Sequence, residues 1–368
     1  MKELIESRRH DHLLTRSLVR IIVGVNASGR SATTRRDRAP QVLDFGGAAC
    51  QGGRERSMVR PLSVSIVMPA YRAEASIGAA VRSVLAQTYP HWELIVVADD
   101  GVDYQTLLPA DRRLTLAYTG AWGSGPSAAR NRGLDAARHP LVTFLDSDDV
   151  WYPDKLSILV PLARAHGIAL GNTRFCEYPG PGYDAHCWQD PVEGYHDWLF
   201  FACVSESLWP VYQRAVVGRT RFPECLRFAE DAVFTLSIMA RHGGAYLYPQ
   251  PLHEYRLRPG TLSRSRDAVR RADEAYDWIL SVLRAGDRLS FPAEAVGSAI
   301  AVFERRRALN RAFPASGMRY FQEFETSMRA RRTRGGVAGD EAMREPAADA
   351  GGLARYDRGG DSDSNGIG

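Results

Sequence analysis

Val64-Ser65-Ile66-Val67-Met68 is a short, nearly continuous apolar run and predicts a buried strand that stops at Pro69. From Ala75 to Gln87 the period lengthens, and Ile77, Ala80, Val81, Val84 and Leu85 recur at helical spacing. Leu94-Ile95-Val96-Val97 is a second strand-like run, closed by Asp99-Asp100-Gly101. Strand, helix and strand in this order predict a βαβ unit with parallel strands and a right-handed crossover, which gathers its loops at one sheet edge. Another apolar run, Leu141-Val142-Thr143-Phe144-Leu145, ends in Asp146-Ser147-Asp148-Asp149. Downstream, Arg227-Phe228-Ala229-Glu230-Asp231-Ala232-Val233-Phe234 opens a helix that runs through Leu236, Ile238 and Met239 to Gly243. From Asp267 to Phe313 helical periodicity returns, with Ala272, Ala275, Trp278, Ile279 and Val282 on one face, then an amphipathic run from Ala293 to Leu309. The pattern as a whole predicts an α/β fold.

Open α/β sheets bind ligands outside the carboxyl ends of their strands, and the acidic run falls there. Asp146 and Asp148 can share a hard divalent cation, Mg²⁺ or Mn²⁺, which keeps several waters and takes its remaining ligands from substrate phosphates. A diphosphate leaving group is thereby implied. A generic Asp-x-Asp after a strand more often caps the following helix, so the reading depends on what else reaches the same edge. Pro69-Ala70-Tyr71-Arg72 and Asp99-Asp100-Gly101 both do. A carboxylate there can accept from a base N–H or a ribose hydroxyl, and the Tyr71 ring can flank a planar base. Gly123-Ser124-Gly125-Pro126-Ser127-Ala128-Ala129-Arg130-Asn131-Arg132-Gly133 is a flexible entry followed by a short helix with Arg130 and Arg132 on different faces. The rigid, always-charged fork of arginine suits phosphates and planar edges, although a solvated side chain is the plainer reading, above all for Arg132.

These motifs together, in this order between Val64 and Leu156, resemble the GT-A fold glycosyltransferases of family 2. The resemblance implies a Rossmann-like mixed sheet flanked by helices, with a C-terminal helical segment and disordered tails. It also implies roles for single residues. Pro69, Ala70 and Tyr71 would lie against the donor base, with Asp99 and Asp100 on the base or ribose and Arg130 on the nucleotide. Asp146, with Ser147, would approach the ribose and metal, and Asp148 would hold the metal on the diphosphate. Glu230-Asp231 resembles the family's Glu-Asp motif, which makes Asp231 the catalytic base and Glu230 a supporting residue. The segment Leu252-His253-Glu254-Tyr255-Arg256-Leu257-Arg258-Pro259-Gly260-Thr261-Leu262-Ser263 resembles the Tyr-Arg and Gly-Ser-x-Ser stretch, so that His253, Arg256 or Arg258 would neutralise the departing diphosphate. A lone histidine in a strand is, however, more often packed. Arg72 and Val102 depart from the Asn and Ser usual at those places. The implied reaction is a single displacement by a hexosyltransferase: Asp231 takes the acceptor proton as attack on the far face inverts the anomeric centre.

Length and charge fit this reading. A chain of 368 residues, 45% hydrophobic, is long enough for one large domain with tails. The expected organisation is a basic leader over 1–57, a glycosyltransferase domain over 58–263 whose halves are 58–156 for the donor and 157–263 for the acceptor and base, helices over 264–330, and a tail over 331–368. The net charge of +4 is mild, and arginines such as Arg8, Arg9, Arg35, Arg36 and Arg38 concentrate much of it in the leader, which lacks periodicity and reads as disordered. Folding is expected to begin near Met58. No apolar run approaches the eighteen or so residues that span a bilayer, so the enzyme is expected to be cytoplasmic, either soluble or peripheral at the inner face of the cell membrane. Cys50, Cys176, Cys187, Cys203 and Cys225 are scattered, an odd set that argues for reduced thiols and against a zinc site.

The expected partners are a nucleotide-sugar donor, with a UDP-sugar the commonest in the family, and a saccharide or lipid-linked saccharide acceptor of the bacterial exopolysaccharide kind; no nucleic acid is expected. Tyr178, Tyr183, Trp188, Tyr195, Trp198 and Trp209 could stack on acceptor sugars or could equally be core. A sugar nucleotidyltransferase would need a glycine-rich loop after the first strand, where Pro69-Ala70-Tyr71-Arg72 stands. A non-catalytic nucleotide-sugar or anionic-surface binding protein would have no use for Asp146, Asp148 and Asp231 together.

Overall fold

The first strand, β1 (Val64–Ala70), runs further than the expected stop, and Pro69 and Ala70 stay in register with Val97 and Ala98. Proline is tolerated there because the strand on the other side, β4 (Leu141–Phe144), pairs with β1 only as far as Val67, so no ladder bond is asked of Pro69 on that side. The protein is described here by a computed structural model that covers residues 61–180, 182–205, 208–258 and 267–334. The leader, Met58, the Gly260-Thr261-Leu262-Ser263 stretch and the tail beyond Arg334 lie outside the described residues.

Helix α1 (Ile77–Leu85) buries Ile77, Ala80, Val81 and Val84 and returns the chain to β2 (Trp92–Ala98), parallel to β1 as expected. β3 (Leu114–Tyr118) adds to β2 in parallel, and α2 (Pro126–Ala136) crosses back to β4. The remaining strands are β5 (Val150–Trp151), β6 (Ile168–Glu177), β7 (Asp184–His186), β8 (Gly194–Asp197), β9 (Val211–Gln213) and β10 (Gly244–Leu257). They form one mixed ten-stranded sheet in the order β3-β2-β1-β4-β9-β6-β10-β5, with β7 on β6 and β8 on β10. β9 is antiparallel to both β4 and β6, while β10 is parallel to β6 and antiparallel to β5.

The other helices are α3 (Lys155–His166), α4 (Trp198–Ala202), α5 (Arg214–Val217), α6 (Glu230–His242), α7 (Ala268–Arg284), α8 (Val296–Ala312) and α9 (Phe321–Arg334). Successive β1 side chains enter opposite layers, as the pleat requires. Ile66 and Met68 pack with Ile77 and Val81 of α1 and Leu156 and Leu159 of α3. Val67 joins the opposite layer, with Phe144, Phe222 and Phe234. Phe222 and Phe234 stack there at 3.8 Å, and the edge of Phe144 meets both. Helices α7 and α8 belong to the same layer through Ala272, Ala275, Tyr276, Ile279 and Phe303. The buried stripe of α7 continues through Leu280 and Leu283, whereas Trp278 and Val282, expected on that face, are half-buried beside it. No helix among the described residues is long and apolar enough to cross a membrane.

Gly133 sets how close α2 lies to the sheet, since a Cβ there would sit 2.2 Å from Val67 Cγ1. Gly133→Ala is therefore expected to lower stability by about 1–3 kcal/mol by overpacking, even though alanine favours helices. Urea denaturation would check this, and an unchanged midpoint would mean that Val67 can turn away at no cost.

Candidate active site

Parallel pairing of β4, β1 and β2 brings the loops after them to one edge, where a cleft of about 850 Å³ opens. Pro69, Ala70, Tyr71, Asp99, Arg130, Asp146, Ser147, Asp148, Glu230 and Asp231 all line it. Asp100 and Arg256 do not. Helix α6 begins at Glu230, later than the expected opening at Arg227, because Ala229 takes a left-handed conformation (φ 60°) that turns the chain into the helix. The turn delivers Glu230 and Asp231 to the cleft in the first helical turn.

Arg130 connects the two acidic motifs. Its Nη2 donates to Asp146 Oδ1 at 2.7 Å and its Nη1 to Glu230 Oε1 at 2.8 Å. The guanidinium lies 4.7 Å from the Trp209 ring and 5.5 Å from the Phe222 ring, and the residue is 5% exposed. Burial opposes its charge, but Asp146 and Glu230 outweigh that effect and hold its pKa above the usual arginine range. Arg132, in contrast, is exposed. Trp209 also donates its indole N–H to Asp146 Oδ2 at 3.1 Å, so both Asp146 oxygens are engaged. Burial pushes the Glu230 carboxyl up to about 7, assisted by Asp231 and opposed by Arg130.

Behind the cleft, Asp149 is 2% exposed and accepts from the Arg256 backbone N–H and from His253 Nε2, both at 2.9 Å. His253 Nδ1 faces Lys155 Nζ at 3.5 Å, and Lys155 reaches the Trp209 carbonyl at 3.4 Å. This contact pattern suits a neutral imidazole that donates from Nε2 and accepts at Nδ1. Burial drives the pKa values of His253 and Lys155 down, the lysine to about 7, and raises that of Asp149. The plainer reading of His253 thus holds, since it is packed behind the site. Asp148 lines the cleft with less compensation: burial, then Asp149 and Asp146, push its carboxyl up to about 7, against a weaker pull from Arg258.

The turn offers Asp148 and, through the lone pairs that Arg130 and Trp209 do not take, Asp146, and no group of three or more potential His, Cys, Asp or Glu ligands occurs among the described residues. A divalent cation that completes its shell with diphosphate oxygens and water needs no more than this, and the raised Asp148 pKa marks negative charge that such a cation would relieve. The residues fit the group.

The loops account for the other expected residues. Asp99 accepts from Ser124 N at 2.9 Å, Gly125 N at 2.6 Å and Thr119 Oγ1 at 2.7 Å, so it shapes the glycine loop as well as lining the cleft. Asp100 is turned into its own loop, accepting from Arg72 N at 2.5 Å, Val102 N at 3.2 Å and Tyr104 Oη at 3.0 Å. Arg256 and Arg258 both lie over the Tyr178 ring, but Arg256 donates Nε to Glu254 at 2.9 Å, whereas Arg258 reaches the cleft. Of the aromatic residues between 172 and 209, none lines the cleft. Trp188 stacks on Phe200 and Tyr183 on Tyr320, while Trp198 packs on Phe291. The sequence reading missed Trp209 as a partner of Asp146 and Lys155 as a partner of His253. The apolar neighbours of Lys155, Leu156 and Leu159, were the one signal that its side chain enters the interior.

A family model described as glycosyl transferase family 2 matches residues 65–198. The putative teichuronic acid biosynthesis glycosyltransferase TuaG of Bacillus subtilis is 31% identical over 214 residues, which cover 56% of this chain and 83% of TuaG. The chain belongs to glycosyl transferase family 2. This family 2 chain is also 40% identical over 109 residues to the Escherichia coli UDP-Glc:alpha-D-GlcNAc-diphosphoundecaprenol beta-1,3-glucosyltransferase WfgD, over 29% of its own length and 43% of that relative. Its match thus spans less than half of WfgD. Among solved structures, S. aureus TarS 1-349 in complex with UDP-GlcNAc aligns with a TM-score of 0.47 at 18% identity, over 73% of this chain and 92% of that one.

Asp148→Asn supplies a test of the uncompensated charge. With its pKa raised, the folded carboxyl keeps a proton that the unfolded chain has released, so this group lowers stability as pH rises from about 4 to about 7. Without divalent cations, Asp148→Asn is expected to be more stable than the native protein by on the order of 1 kcal/mol near pH 8, a gap that shrinks toward pH 5. Equal melting temperatures near pH 8 in chelator would show that Asp148 is already compensated.

Proposed function

We propose that this family 2 chain transfers a sugar from a nucleoside diphosphate sugar, a UDP-sugar, to an acceptor hydroxyl with inversion at the anomeric carbon. The observation that carries the reading is the shared cleft: the Asp146/Asp148 turn and Asp231 line the same space, and Arg130 ties the two segments together. Glu230 is held by Arg130, and Asp231, the next residue and a lining residue of the same cleft, is the carboxylate we assign to the acceptor. The Asp231 carboxylate takes the hydroxyl proton as the oxygen bonds to the anomeric carbon, and the bond from that carbon to the diphosphate oxygen breaks on the opposite face. The protein needs no covalent intermediate.

Asp148, with Asp146, would hold a Mg²⁺ or Mn²⁺ ion, and that ion, when bound, supplies positive charge against the departing diphosphate. Arg258 adds to this field from the cleft wall. Pro69, Ala70 and Tyr71 form the wall offered to the base, where Tyr71 is 49% exposed and carries the Arg72 guanidinium over its ring at 5.2 Å, so that a planar base would stack on the other face. The names of TuaG and WfgD support a bacterial surface polysaccharide or a lipid-linked saccharide as acceptor, and WfgD's supports uridine in the donor. Such an acceptor would place the enzyme at the inner face of the cell membrane.

A thermal-shift panel of nucleoside diphosphates with and without Mn²⁺ tests the donor half. UDP with Mn²⁺ is expected to raise the native melting temperature, since ligand at about a hundred times its Kd adds about 2.7 kcal/mol. Asp148→Ala should lose that shift. A flat response to every nucleotide by folded protein would sink the reading. Asp231→Asn tests the base: kcat should fall by about a hundredfold or more while the UDP shift persists. Equal loss of both would make Asp231 a shaping residue.

A further inference from the structure

The C-terminal helices build one wall of the cleft. Arg271 and Tyr276 on α7 line it directly. Ser205, another lining residue, is held from behind by Glu325 on α9, which accepts from its backbone N–H at 3.1 Å and its hydroxyl at 2.6 Å. The preceding carbonyls are gripped from α8, with Arg305 on Cys203 and Arg306 on Val204. All of these positions lie outside residues 65–198, so the wall is an addition to the part of the chain that the family model matches.

The arginines that line the cleft are not all answered by carboxylates. Arg130 is taken up by Asp146 and Glu230, and Arg258 acts on Asp148. Arg227 and Arg271 pair with no carboxylate among the described residues. Arg227 is steadied by donating Nη2 to the Gly123 carbonyl at 3.0 Å, and it packs so closely on Gly125 that a Cβ there would lie 1.8 Å from Nη1. Beside them Tyr276, 3% exposed, meets the Phe228 ring edge-on at 6.3 Å and gives the wall a rigid apolar backing. Guanidinium groups without acidic partners in a partly enclosed cleft raise the local potential and call for an anion, and their forks match phosphate oxygens. A neutral saccharide would leave that charge unanswered.

Resting on the transferase reading above, we propose that Arg271 on the C-terminal wall, with Arg227 against the glycine loop of the same cleft, forms an acceptor subsite for phosphate, so that the chain takes a saccharide carried on a diphosphate in preference to a neutral one. The acceptor diphosphate would sit on the C-terminal wall while its sugar hydroxyl points to Asp231.

Farnesyl diphosphate and farnesol serve as probes in calorimetric titrations of the full chain saturated with UDP and Mn²⁺, and UDP affinity is measured separately. The native protein is expected to bind farnesyl diphosphate with UDP present and to ignore farnesol. Arg271→Gln should weaken farnesyl diphosphate about tenfold or more, the usual worth of a lost charge-assisted contact, while UDP affinity stays within about twofold. Arg271→Lys should restore part of the loss, and matched melting temperatures would exclude a folding defect. Equal weakening of UDP, or displacement of farnesyl diphosphate by UDP, would assign these arginines to the donor and overturn the subsite. Farnesol binding as well as its diphosphate would overturn it too, as would native protein that binds UDP alone. Failure to bind UDP at all would instead overturn the transferase reading beneath it.

Discussion

The buried Arg130 guanidinium is the interaction on which the site depends. It joins segments far apart in the chain, the turn after β4 and the start of α6, through carboxylates at 2.7 and 2.8 Å. Either carboxylate alone would be a buried charge held by half a partner, and breaking such an arrangement typically costs about 3–5 kcal/mol because a charge is left stranded. The bridge can form only because α2 lies close on the sheet, and that closeness is set by Gly133 against Val67. Packing therefore comes first, and the electrostatics that orders the cleft is built on it.

Negative charge is crowded at this edge, and each carboxylate is answered differently. Asp149 faces His253 with Lys155 behind it, Glu230 faces Arg130, and Asp146 has both Arg130 and Trp209. Asp148 is left with the more distant pull of Arg258. A carboxylate kept short of compensation while its neighbours are satisfied is destabilising when ionised, and perturbed groups of this kind gather at functional sites.

Periodicity and punctuation made half of this legible. The apolar runs of β1, β2 and β4 and the spacing in α1 carry their own signal, and the acidic turn stands out because it ends such a run. Periodicity carries no information on which way a side chain turns. Asp99-Asp100 reads as a pair of ligand groups, yet Asp99 faces the cleft and Asp100 holds its own loop. Arg256 and Arg258 read alike, but Glu254, two residues back on the same strand face, engages Arg256. β8 is a short, half-exposed strand with little apolar signal, and β9 is defined by partners distant in sequence. Arg72 is a different case. Its left-handed backbone (φ 51°) is one that Asn tolerates better, which accounts physically for the residue usual there in the family and makes this arginine a strained replacement.

The same reasoning explains how α6 keeps its position. Ala229 holds φ at 60°, a conformation that costs alanine about 1–2 kcal/mol and persists only when its surroundings over-determine it. Those surroundings come from both sides. Arg130 anchors Glu230, the following residue, to the donor-side turn, and Phe228, the preceding one, packs on Tyr276 of α7. Tyr276 in turn meets Phe303 of α8 within the layer that also contains Phe234 of α6. The carboxylate at 231 thus rides on a helix whose start is fixed by an ion pair on one flank and by aromatic packing on the other. The C-terminal helices, beyond closing a wall, are part of what aims it.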